Sequence, residues 1–297
     1  MIYDIRHVTT YSYESPVSFA RCSLRLQPAD NDDQHLLSHS VEIKPLPVER
    51  SARIDFFGIQ TESIIIETPH RVLQIDSRSR VDVNRKTPQA EHSFPAWEKV
   101  RQAAFDTNDA RATSPVGYLF ASPLVPVLAP ITDYAAQSFP AGRNLLTGTS
   151  DLMRRINRDF IYDTKATEVS TPLREVFTKR RGVCQDFAHI MISGLRGLGL
   201  PAAYVSGYLR TNPPPGKPRL QGADATHAWA SIWCGADLGW IGFDPTNDLI
   251  VENDHVVLAS GRDYTDVSPV DGVIVGSRKQ RLSVAVDVIP LEQLEAS

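Results

Sequence analysis

One stretch constrains the fold of this 297-residue chain more than any other: a helical apolar stripe that runs straight into strand-like segments. Cys184, Ala188, Met191, Leu195 and Leu198 recur at the spacing that puts them on one side of a helix. Gly182-Val183 precede the stripe, and Gly197 with Gly199-Leu200-Pro201 ends it. Ala202 to Leu209 and Ala225 to Trp233 then read as strands, separated by the loop Asn212-Pro213-Pro214-Pro215-Gly216-Lys217-Pro218. A third strand, Trp240 to Asp244, stops at Pro245, and a last one, Leu282 to Val288, alternates. A helix placed against such strands specifies an α+β core.

The first ninety residues carry a different pattern. Tyr3, Ile5 and His7, then Thr9, Tyr11 and Tyr13, share one parity, and Ile64-Ile65-Ile66 is a dense β-branched run. Residues 51–58 and 72–76 read as further strands, with turn signals at Glu14-Ser15-Pro16, 27–33 and Lys44-Pro45-Leu46-Pro47. Short strands with frequent turns predict an antiparallel sheet or sandwich. Composition changes near Asn84-Arg85-Lys86-Thr87-Pro88, which divides the chain into a β-domain, 1–90, and a second domain, 91–297. From Ala96 to Phe160 the pattern is helical but broken by prolines. Leu145, Leu146, Leu152, Ile156 and Phe160 predict a helix entered through Thr149-Ser150-Asp151, and a short helix follows at Pro172 to Phe177.

Hydrophobic residues make up 42% and charged residues 22%, enough apolar content for a sizeable core. A net charge of -4 gives no broad footprint for nucleic acid or anionic membrane. No apolar run approaches the roughly 18 residues that span a bilayer. The N-terminal segment lacks the basic-then-apolar order of a signal peptide, so a cytoplasmic location is expected. Oligomeric state is not legible. Three widely spaced cysteines, Cys22, Cys184 and Cys234, do not form a disulfide framework.

A thiol attacks as the thiolate, a form favoured at helix N-termini and beside an imidazolium. Cys184 stands in the first turn of its helix, where backbone N–H groups lack helical partners and can face an oxyanion. Gly182 leaves room for the chain to bend and a substrate to approach. A tight turn with Gly235-Ala236 at its tip pairs Cys234 with Asp237 and, carried along the strands, sets His227 opposite Asp244. A slip of one paired step leaves them diagonal neighbours, roughly 7–8 Å apart or less at Cβ. Either way an imidazole and a carboxylate meet, and the constellation is complete if the helix packs its N-terminus over that sheet face. The pattern therefore predicts Cys184 as nucleophile, His227 as base and Asp244 as the group that orients His227.

Competing readings exist for each residue. Cys22 and Cys234 read as structural thiols. His189 packs or reaches solvent, and Asp186 complements the helix dipole. Trp229 and Trp233 share the parity of His227 and either wall a cleft or fill the core. Asn247 and Asp248 are alternate orienters. No Cys-x-x-Cys or His-x-x-x-His spacing suggests zinc, and no acidic loop suggests calcium, so neither a metal nor another cofactor is expected.

Four segments carry a resemblance: 181–189 around Cys184, Tyr204 to Leu209, Asp224 to Trp229, and Gly239 to Asn247. They resemble the bacterial transglutaminase-like family, with His255 to Tyr264 similar to the region after its core and the first eighty residues similar to its N-terminal β-domain. The resemblance implies a papain-like core, a nucleophile helix on an antiparallel sheet, with Cys184, His227 and Asp244 at the triad positions. Trp229 and Gln185 are the expected substrate-binding residues. The implied activity is cysteine-dependent acyl transfer on peptide or protein amides through a thioester, hydrolytic in a peptidase or amidase. Transamidation by an amine is the alternative, and a non-catalytic peptide-binding module is the other.

Overall fold

A computed structural model describes residues 1–85, 94–211 and 225–291. The 212–218 loop, Asp224 and part of the expected domain boundary lie outside the described residues. The N-terminal strands are β1 (Ile2–Val17), β2 (Phe19–Leu24), β3 (Gln34–Lys44), β4 (Glu49–Ile54), β5 (Gln60–Ile66) and β6 (His70–Val83). Helices α1 (Trp97–Phe105), α2 (Ala129–Ala136) and α3 (Leu145–Asp159) follow. Two short strands, β7 (Ile161–Tyr162) and β8 (Arg181–Gly182), pair in parallel around α4 (Leu173–Lys179). Next come α5 (Cys184–Gly197), β9 (Ala202–Leu209), β10 (Ala225–Trp233), β11 (Trp240–Asp244), β12 (Leu249–Ile250) and β13 (His255–Gly261). The chain closes with α6 (Tyr264–Val267), β14 (Val270–Val275) and β15 (Gln280–Pro290).

The alternation in β1 does what its parity predicts: Tyr3, Ile5, His7, Thr9 and Tyr13 are buried. Two antiparallel sheets, ordered β15-β1-β6-β3 and β14-β2-β5-β4, enclose a core that includes Tyr13, Val17, Leu24, Ile64, Ile66 and Ile75. Tyr3, Ile5, Val81 and Val83, from the other end of the first sheet, belong instead to the core shared with the helices. One sheet thus serves two cores.

The C-terminal strands correct the sequence division. The segment after residue 90 was expected to form one domain, yet β15 pairs with β1 and β14 pairs with β2. The chain returns to complete both N-terminal sheets. A long-range strand partner leaves no trace in local alternation, which is why the division at 90 missed it.

The second unit is an antiparallel sheet, β12-β11-β10-β9-β13, against α5. The stripe reading of α5 was incomplete, because every residue from Asp186 to Arg196 is buried. Ala135 of α2 approaches so closely that a Cβ at Gly194 would lie 2.7 Å from its Cβ. Polar residues on the covered side are therefore satisfied internally. Ser193 Oγ donates to the Pro126 carbonyl (2.7 Å), and the Arg196 guanidinium donates to the carbonyls of Tyr118, Ala202, Phe120 and Arg262. The entry to α3 also differs: Asn144, not the Thr149-Ser150-Asp151 group, caps it by accepting from Thr147 N (3.1 Å).

Candidate active site

Cys184 is the first residue of α5, after Val183 in extended conformation. Asp186 turns back and accepts hydrogen bonds from Val183 N (2.9 Å) and Thr167 Oγ1 (2.6 Å), fixing the first turn. Burial pushes the Asp186 carboxyl up, and those two bonds oppose the shift. Gly182 is required for a reason other than the one its sequence suggested. A Cβ there would lie 2.5 Å from Asp186 Oδ2, so the glycine makes room for the cap. Cys184 is partly buried, whereas Cys22 and Cys234 are fully buried. Burial pushes those two thiols up to about 11 and about 12, as inert structural cysteines require.

His227 and Asp244 meet, though not by the expected register. Trp233 pairs with Trp240 and Ala230 with Phe243, two residues displaced from a tight turn at Gly235-Ala236. The cause is a wider loop, closed by Cys234 N to Gly239 O and Gly239 N to Gly235 O (both 2.8 Å). Its glycines take positive φ, 109° at Gly235 and 65° at Gly239. His227 and Asp244 become diagonal neighbours, and His227 Nε2 lies 2.7 Å from Asp244 Oδ2.

The helix body also lies elsewhere than expected. Ala228, Ala230 and Ile232 share a core with Phe187, Ala188, Met191 and Leu195. Trp229, of the same parity as His227, packs in a separate cluster with Val205 and Val251. The body of α5 therefore covers the opposite parity of β10, and only its first residue reaches His227. Cys184, like Asp244, acts on the imidazole and raises its proton affinity. With Nε2 committed to the carboxylate, Nδ1 is the nitrogen left for the thiol.

Asp244 has no exposed surface. Its Oδ2 accepts from His227 Nε2, Asn247 Nδ2 (2.7 Å) and His255 Nε2 (3.2 Å). Its Oδ1 accepts from the backbone N–H groups of Thr246 (2.9 Å) and Asn247 (3.2 Å). Burial opposes its ionisation, but the bonds from His227, His255 and Asn247 outweigh burial and hold the carboxyl well below the usual range. Burial likewise disfavours charge on His227. The hydrogen bond to Asp244, with the influence of Cys184 and the attraction of both groups, overcomes it, and the imidazole is pushed up to about 10.

Trp229 is 1% exposed, which corrects its expected role as a substrate contact. A Cβ at Gly207 would meet the indole at 2.5 Å and one at Gly242 would meet it at 3.2 Å, so these glycines make its slot. The ring stands behind His227 (centroids 6.1 Å apart) and edge-on to His255 (5.0 Å). What remains accessible lines a cavity of about 610 Å³ beside Asn31, Asp32 and Asp33; Cys184, His227 and Asp244 do not line it. Gln185 is partly buried, next to Cys184 in the first helical turn. His189 is buried, pushed down to about 3 by that burial, and stacks near Tyr204.

Sequence reasoning missed His255 as part of the site. Its signal was a histidine opening an apolar strand, His255-Val256-Val257-Leu258. His227, Asp244 and His255 are also the described residues whose ligand-type atoms come within 4.8 Å of one another. The 2.7 Å between His227 Nε2 and Asp244 Oδ2 is an N–H···O distance. It is shorter than the roughly 3.3–3.5 Å between tetrahedral zinc ligands held at about 2.0–2.2 Å. The donor set fits a hydrogen-bonded cluster better than an ion.

A thiol at a helix N-terminus, beside an imidazole hydrogen-bonded to a buried carboxylate, can perform nucleophilic acyl chemistry. Residues 3–82 match the bacterial transglutaminase-like N-terminal region, and residues 134–245 match the transglutaminase-like superfamily. An uncharacterised protein of Mycobacterium tuberculosis is 40% identical over 299 residues, covering 98% of this chain and 93% of its own. The chain belongs to the transglutaminase-like superfamily. An uncharacterised protein of Mycobacterium leprae is 31% identical over 289 residues, 96% of this chain and 97% of that one. A solved structure from Cytophaga hutchinsonii, described as a candidate cysteine protease, shares the fold of this superfamily member with a TM-score of 0.77 at 21% identity. It covers 99% of this chain and 92% of that chain. A protein-glutamine gamma-glutamyltransferase of Pseudomonas aeruginosa is 34% identical over 106 residues, 34% of this chain but 16% of that protein.

Proposed function

We propose that the protein is a cysteine-dependent acyl-transfer enzyme acting on peptide or protein amides, with hydrolysis as its reaction. The observation that carries this reading is His227, hydrogen-bonded to the buried Asp244 and raised in proton affinity by Asp244 and Cys184 together. The thiol proton passes to His227, and the Cys184 sulfur attacks the amide carbonyl. The N–H groups at the start of α5 face the resulting oxyanion. The C–N bond breaks, His227 protonates the leaving amine, and a thioester remains on Cys184. Water, deprotonated by His227, then attacks the thioester, releasing the acid and restoring the thiol. Gln185, beside the thiol, is the proposed substrate contact.

One observation favours a second reading, with an amine in place of water: the partial likeness to a protein-glutamine gamma-glutamyltransferase. Mass spectrometry of a glutamine peptide incubated with the protein, with and without an added primary amine, separates the outcomes. Peptide cleavage or deamidation supports hydrolysis, and amine incorporation supports transamidation. A binding module would leave the peptide unchanged. Cys184 would then be alkylated no faster than a free thiol.

A further inference from the structure

We propose that His255 is a positioning residue: a second imidazole that donates Nε2–H to Asp244 and locks the carboxylate in the rotation that serves His227. This rests on the reading of Cys184, His227 and Asp244 as the reacting group. His255 is 1% exposed and its Nε2 lies 3.2 Å from Asp244 Oδ2, the oxygen that His227 uses. Its Nδ1 is buried with no hydrogen-bond partner. A buried N–H left unpaired costs more than an unpaired ring lone pair, so the proton belongs on Nε2. The charged and titratable groups facing the ring are Asp244 from β11, His227 from β10 and Arg85 from the segment after β6. Burial lowers the affinity of His255 for a second proton, so it acts as a neutral donor.

The ring and the strand that bears it are held at three points. Trp229 packs edge-on against it. Arg85 Nη1 donates to the His255 carbonyl (3.1 Å). Two residues on, Gln34 clamps Val257 by accepting from its N–H (2.8 Å) and donating to its carbonyl (2.9 Å). Arg85 and Gln34 come from outside the sheet that bears Asp244. The N-terminal region thereby fixes β13, β13 fixes His255, and His255 fixes Asp244.

The test compares two variants that separate hydrogen bonding from packing. His255→Phe keeps a ring against Trp229 and removes the donor; His255→Gln keeps an N–H donor and removes the ring. The measured quantity is the rate of Cys184 alkylation by iodoacetamide at neutral pH, with circular dichroism as the check on folding. The positioning role predicts that His255→Phe reacts about tenfold slower, the loss of one charge-assisted hydrogen bond, while His255→Gln stays near the wild-type rate. A packing role predicts the reverse order, and that order, or a wild-type rate for His255→Phe, overturns the proposal. Nitrogen-15 imidazole spectra of the unmodified protein keep it testable if a variant fails to fold. A neutral Nε2–H tautomer for His255 is expected, and an Nδ1–H tautomer overturns it. If unmodified Cys184 reacts no faster than a free thiol, the proposed function fails, whereas the tautomer still decides the His255–Asp244 bond.

Discussion

Asp244 and Cys184 stand on either side of one imidazole, yet their surroundings are opposites. Asp244 is sealed, with three donors on Oδ2 and two on Oδ1 drawn from two histidines, an asparagine and the following turn. Even that turn is tied down, since Asn157 of α3 donates to the Thr246 carbonyl (2.8 Å). Cys184 is partly exposed at the end of a helix that is buried from Asp186 to Arg196. The difference assigns the work. Orientation is over-determined on the carboxylate side, where nothing needs to move. The thiol side keeps an open approach, as the proposed nucleophile must.

The largest expected effect lies on the open side. Cys184→Ala is expected to abolish turnover and thiol labelling with the melting temperature little changed, because a small, partly exposed side chain carries little packing. Residual turnover in a peptide assay would place the nucleophile elsewhere. The sealed side should behave inversely. His227→Ala is expected to lower turnover by roughly 10²–10⁴-fold, the usual worth of a positioned acid–base group. Asp244→Ala should be milder in turnover, because orienting the ring is secondary to moving the proton. It should nonetheless be the costlier change in stability, about 3–5 kcal/mol, because it strands buried partners. Equal losses in turnover would mean that Asp244 is as indispensable as His227, and no loss would mean that Asn247 or His255 orients the ring without it.

The pH dependence sharpens the same contrast. His227 in the folded protein is pushed up to about 10, from an ordinary value near 6.5. Its contribution to stability is therefore complete below about pH 6.5 and is lost as pH rises toward about 10. Asp244 is held down, so its contribution is present above about pH 4 and is lost on acidification. His7 and His189, buried and pushed down to about 4 and about 3, add a loss as pH falls below about 6.5. Chemical denaturation should show an alkaline decline in the unmodified protein that is absent in His227→Gln. Cys184→Ala should shift that decline to lower pH, since it removes one of the partners that hold His227 charged. A decline unchanged in both variants would show that it arises elsewhere.

The residues that meet at the site were legible because each sits at a place the chain marks locally: a helix start after Gly182, and two strands separated by glycines. The meeting of His227 with Asp244 survived an error of two residues in register, because a diagonal pair still brings an imidazole to a carboxylate. His255 was not legible. Its approach to Asp244 depends on β13 adding to the far edge of β9, two strands from β11, and no local pattern specifies that edge. The same reason hid β14 and β15, whose partners lie more than two hundred residues earlier. The burial of Asp186, His189 and Arg196 was hidden too, because their partners (Thr167, Tyr204, and the carbonyls of Tyr118, Phe120 and Arg262) come from other segments of the chain.

Gly182→Ala perturbs the thiol side without touching a reacting group. The added methyl carbon would lie 2.5 Å from Asp186 Oδ2, so the cap must loosen. Overpacking of this kind costs about 1–3 kcal/mol, and thiol labelling should slow as the first turn of α5 shifts. Full stability in a thermal melt would show that the cap can yield without strain.

The smallest effect is expected at Asn247, where the over-determination of the carboxylate side is most directly exposed. Its amide donates to Asp244 Oδ2 at 2.7 Å and also lies 3.3 Å from His227 Nε2. Asn247→Ala removes that amide but leaves the Asn247 backbone N–H on Oδ1, along with the bonds from Thr246, His227 and His255. Four donors then remain on a carboxylate whose lone pairs can accept about four. Turnover should fall by less than about tenfold and stability by about 1 kcal/mol, the net worth of one hydrogen bond whose partner keeps others. The measurement that decides is Asn247→Ala made in both the unmodified and the His255→Phe backgrounds. If the two donors back each other up, the double variant loses more than the sum of the single losses. Strict additivity would show that Asp244 is held by independent contacts, and the contrast between a redundant carboxylate side and an open thiol side would then lose its energetic basis.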